Sequence, residues 1–478
     1  MPIVDGGGDD PKARVEPAAN ADSAICLTSL DYNIPHRTLM KNLQRAFGAI
    51  VILLLTGLPL AAENWPQWRG PFFNGSTVEK GLPERFSKTE QVKWVAELPG
   101  PSAATPVIWG DRVFVSSTDS QKKILLALCL ERGTGKVQWQ QEIAPGYGQD
   151  DKSNYASPSP VTDGKLVFYF YGNGELAAFD LEGKKQWSRN LQKDYGTFAF
   201  LWTFSSSPML FEGKLFIQVL QRDEAVNGHG SKDGPNVSYL LALDPQTGKQ
   251  IWKVERPSEA KSESREAFST PIPFKHGNQT ELLVLGGDAL TGHDPGTGKE
   301  LWRWGNWNPQ RIAHWRLVPS PVAANDLILA SAPKQSPIYA VKAGGMGSLD
   351  DSSIVWKTKD RAVSADVATP LFYQERFYVL NGDRKKISCV RPKDGEVLWT
   401  GDLESRADFQ ASPTGGDGRI FVMNMRGEVF VIQAGNEFKL LHKTAMGDDE
   451  DSNLRSSIAI SQGNLFIRTG RKLYCLGS

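Results

Sequence analysis

The sequence of 478 residues predicts an all-β fold, an eight-bladed β-propeller built from four-stranded blades. Three observations lead to this prediction. A motif ending in tryptophan recurs about every 50 residues. A Ser-Pro or Thr-Pro dipeptide followed by a β-rich run recurs between the tryptophans. The last repeat lacks a final strand, which a segment near the start of the array can supply.

The tryptophan motif is clearest in LLALDPQTGKQIW, which ends at Trp252, and in LTGHDPGTGKELW, which ends at Trp302. The repeat units end at Trp94, Trp139, Trp187, Trp252, Trp302, Trp356 and Trp399, and His442 takes the place of the next tryptophan. Intervals of 45, 48, 65, 50, 54, 43 and 43 residues are typical of a radial or solenoid array. We interpret the Thr-Gly-Lys segment as a turn and the tryptophans as structural residues that pack on turns.

Four short strands are predicted in each unit. The first follows the dipeptide, as in ATPVIW, and the second resembles KLVFYF; the third resembles LLALD, and the fourth ends at the tryptophan. Polar turns separate these runs and no helical periodicity lies between them, which favours propeller blades.

Ring closure follows from the two ends of the array. The last unit, SSIAISQGNLFIRTGRKLYCLGS, ends with its third strand, and QVKWVAEL around Trp94 is available as the fourth. Sharing one blade between both ends would leave no open sheet edge in the ring. We therefore place the propeller at residues 91–478.

Three segments precede the propeller. Residues 1–39 are polar and are expected to be disordered or a mis-annotated extension. Residues 40–62 have basic residues before an apolar run, which indicates a signal peptide, with an uncleaved anchor as the alternative. Residues 63–90 form an N-terminal arm whose Trp65 and Trp68 are expected to pack on the ring. The signal peptide predicts a periplasmic or secreted bacterial protein with no membrane span after cleavage.

Composition excludes several classes of function. Lys plus Arg and Asp plus Glu both number 54, so no net charge attracts nucleic acid or an anionic membrane. Cys129, Cys389 and Cys475 fall in separate blades and are expected to be buried thiols rather than disulfides. The six histidines are scattered without zinc-ligand spacing, so no metal ligands are predicted. The acidic run 447–452 is interpreted as a solvated loop rather than a calcium site.

Loops that lead into the first strand of each blade line one face of a propeller, and aromatic and charged residues concentrate in them. Such a face could stack a planar ligand and hold its acid groups, although the same loops could simply pack on one another. The candidate ligand-binding residues on this face are Tyr155, Trp202, Arg311, His314, Trp315, Arg316, Asp366 and Arg455.

The pattern Ala-x-Asp-x-x-Thr-Gly-Lys-x-x-Trp, kept best at 242–252, resembles the repeat of the pyrroloquinoline quinone (PQQ)-like β-propellers. The resemblance covers about residues 65–476. That family includes eight-bladed quinoprotein alcohol dehydrogenases and the propeller lipoprotein of the outer-membrane assembly machinery. Enzymes and scaffolds share the repeat, so it implies the fold more specifically than the function.

We predict a non-catalytic scaffold that acts as a monomer and binds a protein partner or a small planar or glycan ligand. For the dehydrogenases, the resemblance implies a disulfide between adjacent cysteines and a calcium ion bound by acidic and amide side chains. This sequence has no adjacent cysteines and no motif that matches the calcium ligands. A dehydrogenase of alcohols or sugars is the alternative, with PQQ and calcium as its cofactors. A glycan-binding protein is a second alternative, which the tryptophan-rich loop 302–316 favours. No catalytic residue is assigned.

Overall fold

The structure is a computed structural model that describes residues 63–478. The predicted extension and signal peptide lie outside the described residues. The described chain forms eight sheets that follow one another in sequence, seven with four strands and one with five. Each sheet contains four antiparallel strands that pair in order. The prediction of an eight-bladed propeller is confirmed.

The strands of each blade are named here from the innermost to the outermost. Blade 1 contains β2 (Val107–Trp109), β3 (Arg112–Asp119), β4 (Ile124–Glu131) and β5 (Val137–Pro145); blade 2 contains β6 (Val161–Thr162), β7 (Leu166–Phe170), β8 (Glu175–Asp180) and β9 (Lys185–Asn190). Blade 3 contains β10 (Met209–Phe211), β11 (Lys214–Val219), β12 (Tyr239–Leu243) and β13 (Gln250–Glu255); blade 4 contains β14 (Ile272–His276), β15 (Gln279–Gly286), β16 (Ala289–His293) and β17 (Glu300–Trp304).

The second half of the ring continues the same order. Blade 5 contains β18 (Val322–Ala324), β19 (Leu327–Ser331), β20 (Ile338–Lys342) and β22 (Ile354–Lys357), and the short β21 (Gly347–Ser348) pairs in parallel with β17 of blade 4. Blade 6 contains β23 (Leu371–Tyr373), β24 (Arg376–Asn381), β25 (Lys386–Val390) and β26 (Val397–Asp402); blade 7 contains β27 (Thr414–Gly416), β28 (Arg419–Met423), β29 (Glu428–Gln433) and β30 (Leu440–Ala445).

Blade 8 is shared between the two ends of the propeller. Strands β31 (Ala459–Ser461), β32 (Asn464–Arg468) and β33 (Lys472–Gly477) pair in order, and β1 (Val92–Glu97) adds to β33 as the outermost strand. Trp94 lies opposite Cys475 in this antiparallel pair. The prediction that the segment around Trp94 closes the ring is confirmed.

Between residues 63 and 478, helical structure is limited to short segments that the sequence pattern did not predict. Helix α1 (Leu191–Tyr195) follows β9, and 3₁₀ turns span Ser262–Arg265 and Asp351–Ser353. Asn190 caps α1 because its side-chain oxygen accepts from the N–H groups of Gln192 and Lys193. A single five-residue helical turn is too short to give a helical period in the sequence.

The repeated tryptophans join neighbouring blades. The Trp252 indole donates to the Pro295 carbonyl at 3.2 Å and packs over Gly298, where an added methyl group would lie 2.7 Å from the ring. Trp94, Trp139, Trp187, Trp356 and Trp399 donate in the same way to a carbonyl in the turn of the following blade. Each motif thus supplies a turn for one neighbour and a tryptophan for the other.

Two positions depart from this arrangement. The buried Trp302 donates instead to the Glu281 carboxylate of its own blade at 2.6 Å, because blade 5 has a longer connection where the glycine turn would lie. His442, which replaces the tryptophan of blade 7, bonds to the Phe86 carbonyl at 2.7 Å. The N-terminal arm therefore takes the place of the turn that blade 8 lacks between β33 and β1.

The Ser/Thr-Pro dipeptides form a closed ring of hydrogen bonds around the channel. In each blade the backbone N–H of one Ser or Thr donates to the side-chain hydroxyl of the equivalent residue in the next blade, over 2.8 to 3.2 Å. The members in order are Thr105, Ser159, Ser207, Thr270, Ser320, Thr369, Ser412 and Ser457. Proline follows seven of them, which favours the extended backbone that the ring requires.

The N-terminal arm crosses the innermost strands. Trp65 is fully buried, and its backbone pairs with Ile108 of β2 at 2.9 Å in both directions. Arg69, also buried, donates to the carbonyls of Pro370 and Pro413, and the Thr77 N–H donates to Gly415 of β27. The arm contacts blades on both sides of the ring closure and brings Trp68 to the channel.

The three cysteines of the propeller, Cys129, Cys389 and Cys475, are buried free thiols. Each lies in the third strand of a different blade. Burial raises the pKa of each thiol, most strongly for Cys129 and Cys475, whose values rise to about 12. These thiols are therefore neutral packing groups. In the described part of the chain, no helix could cross a lipid bilayer.

Candidate functional site

A cavity of about 140 Å³ occupies the channel at the centre of the ring. Its wall is built from the hydrogen-bonded Ser/Thr ring and from the side chains two positions earlier in the chain, because alternate residues of an extended segment point to the same side. The second set includes Ala103, Ser157, Ser205, Phe268, Val318, Val367, Gln410 and Arg455. The repeat thus fixes the backbone of the cavity and leaves one variable side chain per blade.

Three aromatic side chains (Trp68, Trp202 and Phe268) and three cationic side chains line this cavity. Trp202, Lys152, Arg316 and Arg455 all line it. The Lys152 ammonium lies 5.4 Å from the centre of the Trp202 ring, within the range of a cation–π contact. The Arg455 guanidinium donates to Gln410 at 2.5 Å and to the Asp151 carbonyl at 3.1 Å.

The orientation of Trp202 is set by two carboxylates on the loop before blade 4. The Trp202 indole donates to Glu263 at 3.1 Å, and the same carboxylate oxygen lies 3.8 Å from Arg316. The Leu201 N–H donates to Glu266 at 3.0 Å, so the backbone beside Trp202 is held as well. Glu263 and Glu266 both belong to the segment around the 3₁₀ turn Ser262–Arg265.

Glu266 is fully buried and lies 2.5 Å from the Arg222 guanidinium. Burial raises the pKa of Glu266 to about 7 even though Arg222 and the Leu201 N–H favour the charged form. One oxygen of Glu266 and one terminal nitrogen of Arg222 have no hydrogen-bond partner within residues 63–478. This carboxyl can therefore change charge near neutral pH at a position directly behind the Trp202 loop.

Asp150 positions the loop that carries Lys152. One of its carboxylate oxygens accepts from the N–H groups of Lys152 and Ser153 at 2.7 and 2.8 Å, the pattern of an Asx turn. Its other oxygen accepts from the Thr203 N–H at 2.5 Å. The loop before β6 is thereby joined to the loop before β10, which explains why Lys152 and Trp202 meet.

The structure brings three of the eight predicted ligand-binding residues together at the channel cavity: Trp202, Arg316 and Arg455. Tyr155 lies beside them and lines a neighbouring cavity. Arg311 pairs with Glu259 on the surface, and His314 is exposed. Trp315 packs against the apolar core, and Asp366 accepts from the Lys334 N–H at 2.7 Å. These last four residues do not line the channel cavity.

Sequence analysis missed Lys152, Gln410 and Trp68 as cavity residues. Gln410 could have been found, because it stands two positions before a Ser-Pro dipeptide, as Phe268 and Val318 do before theirs. Lys152 carries no such signal, because its place depends on the Asp150 turn and on contacts with another loop.

The donor set of the cavity favours an anionic planar ligand over a divalent cation. Three fixed cations attract carboxylates and repel Ca²⁺, and an indole ring can stack on a flat aromatic system. Within residues 63–478 no group of three or more His, Cys, Asp or Glu side chains is arranged to hold a metal ion. In the acidic run, Asp448 pairs with Lys88 and Lys472. A carboxylated quinone fits the residues present, whereas a calcium ion does not.

Comparisons with known proteins show the family and the fold of this chain. The family model PQQ_2, described as outer membrane protein assembly factor BamB, matches residues 86–223 and 344–476, more than half of the chain. A protein from Pseudomonas sp named polyvinylalcohol dehydrogenase is 22% identical over 393 residues, covering 70% of this chain and 59% of that protein. The chain therefore spans about three fifths of the length of this relative.

Two solved structures share the fold. A europium-containing methanol dehydrogenase superposes with a TM-score of 0.62 at 11% identity and covers 86% of this chain and 90% of its own. The quinohemoprotein alcohol dehydrogenase from Comamonas testosteroni gives a TM-score of 0.60 at 12% identity, with 87% and 81% covered. The prediction of a non-catalytic scaffold is wrong, since the curated relative is named as a dehydrogenase. The comparisons favour the dehydrogenase alternative.

Proposed function

Because the chain belongs to the PQQ_2 family of β-propellers, we propose that it is a quinone-dependent dehydrogenase that oxidises hydroxyl groups. One observation carries the proposal: Trp202, Lys152, Arg316 and Arg455 converge on a single cavity in the channel. PQQ is a flat quinone with several carboxylates, which matches an indole ring surrounded by cationic side chains.

The side chains of the channel have separable tasks in this proposal. Arg316, Arg455 and Lys152 bind the carboxylates, and Trp202 packs on the flat ring. Glu263 holds the Trp202 indole and the Arg316 guanidinium in place through the contacts described above. A bound quinone would accept the two electrons and two protons that an alcohol loses when it becomes a carbonyl compound.

We propose secondary alcohols on a carbon chain as the substrate class. The relative named polyvinylalcohol dehydrogenase supports this choice. We further propose that the protein works in the periplasm, on the basis of the basic and apolar pattern in residues 40–62.

The first experiment is a PQQ titration of the full chain, followed by tryptophan fluorescence, with and without a calcium chelator. We expect saturable quenching that the chelator leaves unchanged, because cations of the protein balance the carboxylates. An assay with an artificial electron acceptor and pentane-2,4-diol then tests oxidation. Absence of quenching at saturating PQQ would overturn the proposal.

A matched pair of arginine variants tests the location of the cofactor. Arg455→Ala removes a cation that lines the cavity, and Arg311→Ala removes an exposed cation on a nearby loop. We expect PQQ affinity to fall at least tenfold in the first variant, since a charge-assisted hydrogen bond contributes about 1.5–3 kcal/mol. The second variant should bind like the unmodified chain. Equal affinities would contradict the assignment of the channel.

A further inference from the structure

A second cavity, of about 200 Å³, lies next to the channel cavity. We call it the side cavity. It is formed by the loop before β6 and the loop before β10, with Gly172 from the β7–β8 turn and His229 from the β11–β12 connection. Trp202 and Thr203 line both cavities. The two spaces therefore share part of their wall.

The side cavity combines an aromatic wall with polar groups. Phe198, Phe200 and Phe204 line it and form a cluster with ring centres 5.1 to 6.1 Å apart, in which Phe200 meets the other two rings edge to face. Gln149 and His229 are exposed and also line it, so they place amide and imidazole groups at the solvent side. A small-molecule site usually has an apolar wall with a small number of polar groups.

The β11–β12 connection that supplies His229 is a local elaboration of the repeat. It runs from Leu220 to Ser238 and is the longest connection between second and third strands in the eight blades. It accounts for the 65-residue interval between Trp187 and Trp252. Val226 and His229 bond to each other through both backbone groups, at 2.9 and 2.7 Å, which fixes the turn that presents the imidazole.

We infer that the side cavity binds a chain that carries several hydroxyl groups on an apolar carbon backbone, as the approach of the substrate to the channel. The inference rests on the proposed function. The methylene groups of such a chain pack on Phe200 and Tyr155, and its hydroxyl groups bond to His229 and Gln149. A substrate molecule in the side cavity would reach the channel at Trp202 and Thr203, beside the proposed position of the quinone.

The test uses isothermal titration calorimetry of the full chain with a vinyl alcohol oligomer of about ten units, a length that exceeds one pocket of the usual size. His229→Ala and Gln149→Ala are expected to weaken binding three- to tenfold. The matched control is His314→Ala, which removes an exposed imidazole that lines neither cavity. All three variants should bind PQQ with unchanged affinity.

The outcomes separate this inference from the proposed function. If the unmodified chain binds PQQ and oxidises the oligomer while His229→Ala has an unchanged KM and affinity, the side cavity is not the substrate site and the dehydrogenase proposal stands. If the oligomer binds in a manner that depends on His229 and Gln149 but is never oxidised, the binding site is supported and the dehydrogenase proposal fails. An oligomer that does not bind the unmodified chain overturns the inference.

Discussion

The backbone N–H of Ser457 donates to the side-chain hydroxyl of Thr105 at 3.2 Å, across 352 positions of the sequence. This bond completes the ring in which each blade is joined to the next by an equivalent contact. Both residues are buried, so no solvent replaces the bond if it is lost. The ring therefore closes the propeller near its axis, while β1 closes it at the outer edge.

The first prediction concerns this bond. Thr105→Val keeps the branched shape and removes the acceptor, which leaves the Ser457 N–H buried without a partner. We expect the free energy of unfolding to fall by about 1–3 kcal/mol, measured by urea denaturation. Thr444→Val, in the outermost strand β30, is the control and should change it by less than about 0.5 kcal/mol. Equal losses in both variants would contradict a role for the ring in closure.

The second prediction compares Gly298, in the repeated Thr-Gly-Lys turn of blade 4, with Gly213, in the turn between β10 and β11. Gly298 has φ of +76° and lies under Trp252, whereas Gly213 has φ of +69° with open space where a side chain would begin. Alanine at 213 should cost about 1 kcal/mol from backbone strain alone. Alanine at 298 should cost a further 1–3 kcal/mol or so, because the methyl group collides with the indole. Thermal denaturation of both variants measures the difference.

The third prediction concerns the support of Trp202. Glu263→Gln replaces the charged acceptor of the indole with a neutral amide and removes the partner of Arg316. We expect PQQ affinity to fall about three- to tenfold, since a charge-assisted bond is roughly twice as strong as a neutral one. Stability should be nearly unchanged. Glu259→Gln, which affects only the surface pair with Arg311, is the control. Unchanged PQQ affinity in Glu263→Gln would mean that Trp202 is held by other contacts.

The fourth prediction follows from the Glu266 carboxyl, whose pKa is raised by burial from 4.5 to about 7. Between these values the folded state binds more protons than the unfolded state, so this group stabilises the fold most below pH 4.5. Its contribution is lost as the pH rises through 7, by an amount on the order of 1–3 kcal/mol. Urea denaturation between pH 5 and 8 should show this loss in the unmodified chain. Glu266→Gln should reduce the slope, and an unchanged slope would contradict the assignment.

Much of the fold could be predicted because the sequence of each blade contains the same recognisable pattern. The Thr-Gly-Lys turn and the tryptophan are local signals, and their repetition counts the blades without any knowledge of contacts. The same is true of ring closure, since a missing strand at Ser478 and a spare strand at Trp94 are both visible in the chain. His442 was recognised as a replacement, although its partner Phe86 was not.

The candidate site was predicted only in part, because loop residues do not carry a period. Trp202, Arg316 and Arg455 were chosen for their residue types, and so were Arg311, His314 and Asp366, which lie elsewhere. Arg455 stands two positions before Ser457 of the Ser/Thr ring, but nothing local distinguishes Trp202 and Arg316 from the second group. The difference arises from how far each loop reaches over the ring, and contacts such as Asp150 with Thr203 decide that reach.

The sequence by itself determined the number of blades, the strands in each and the place where the ring closes, because local turn chemistry and strand patterns repeat in every unit. Only the tertiary structure decided which side chains share the channel. Lys152 and Trp202 are 50 positions apart and Arg316 and Arg455 lie further along the chain, so their meeting depends on the curvature of the ring and on bonds between different loops.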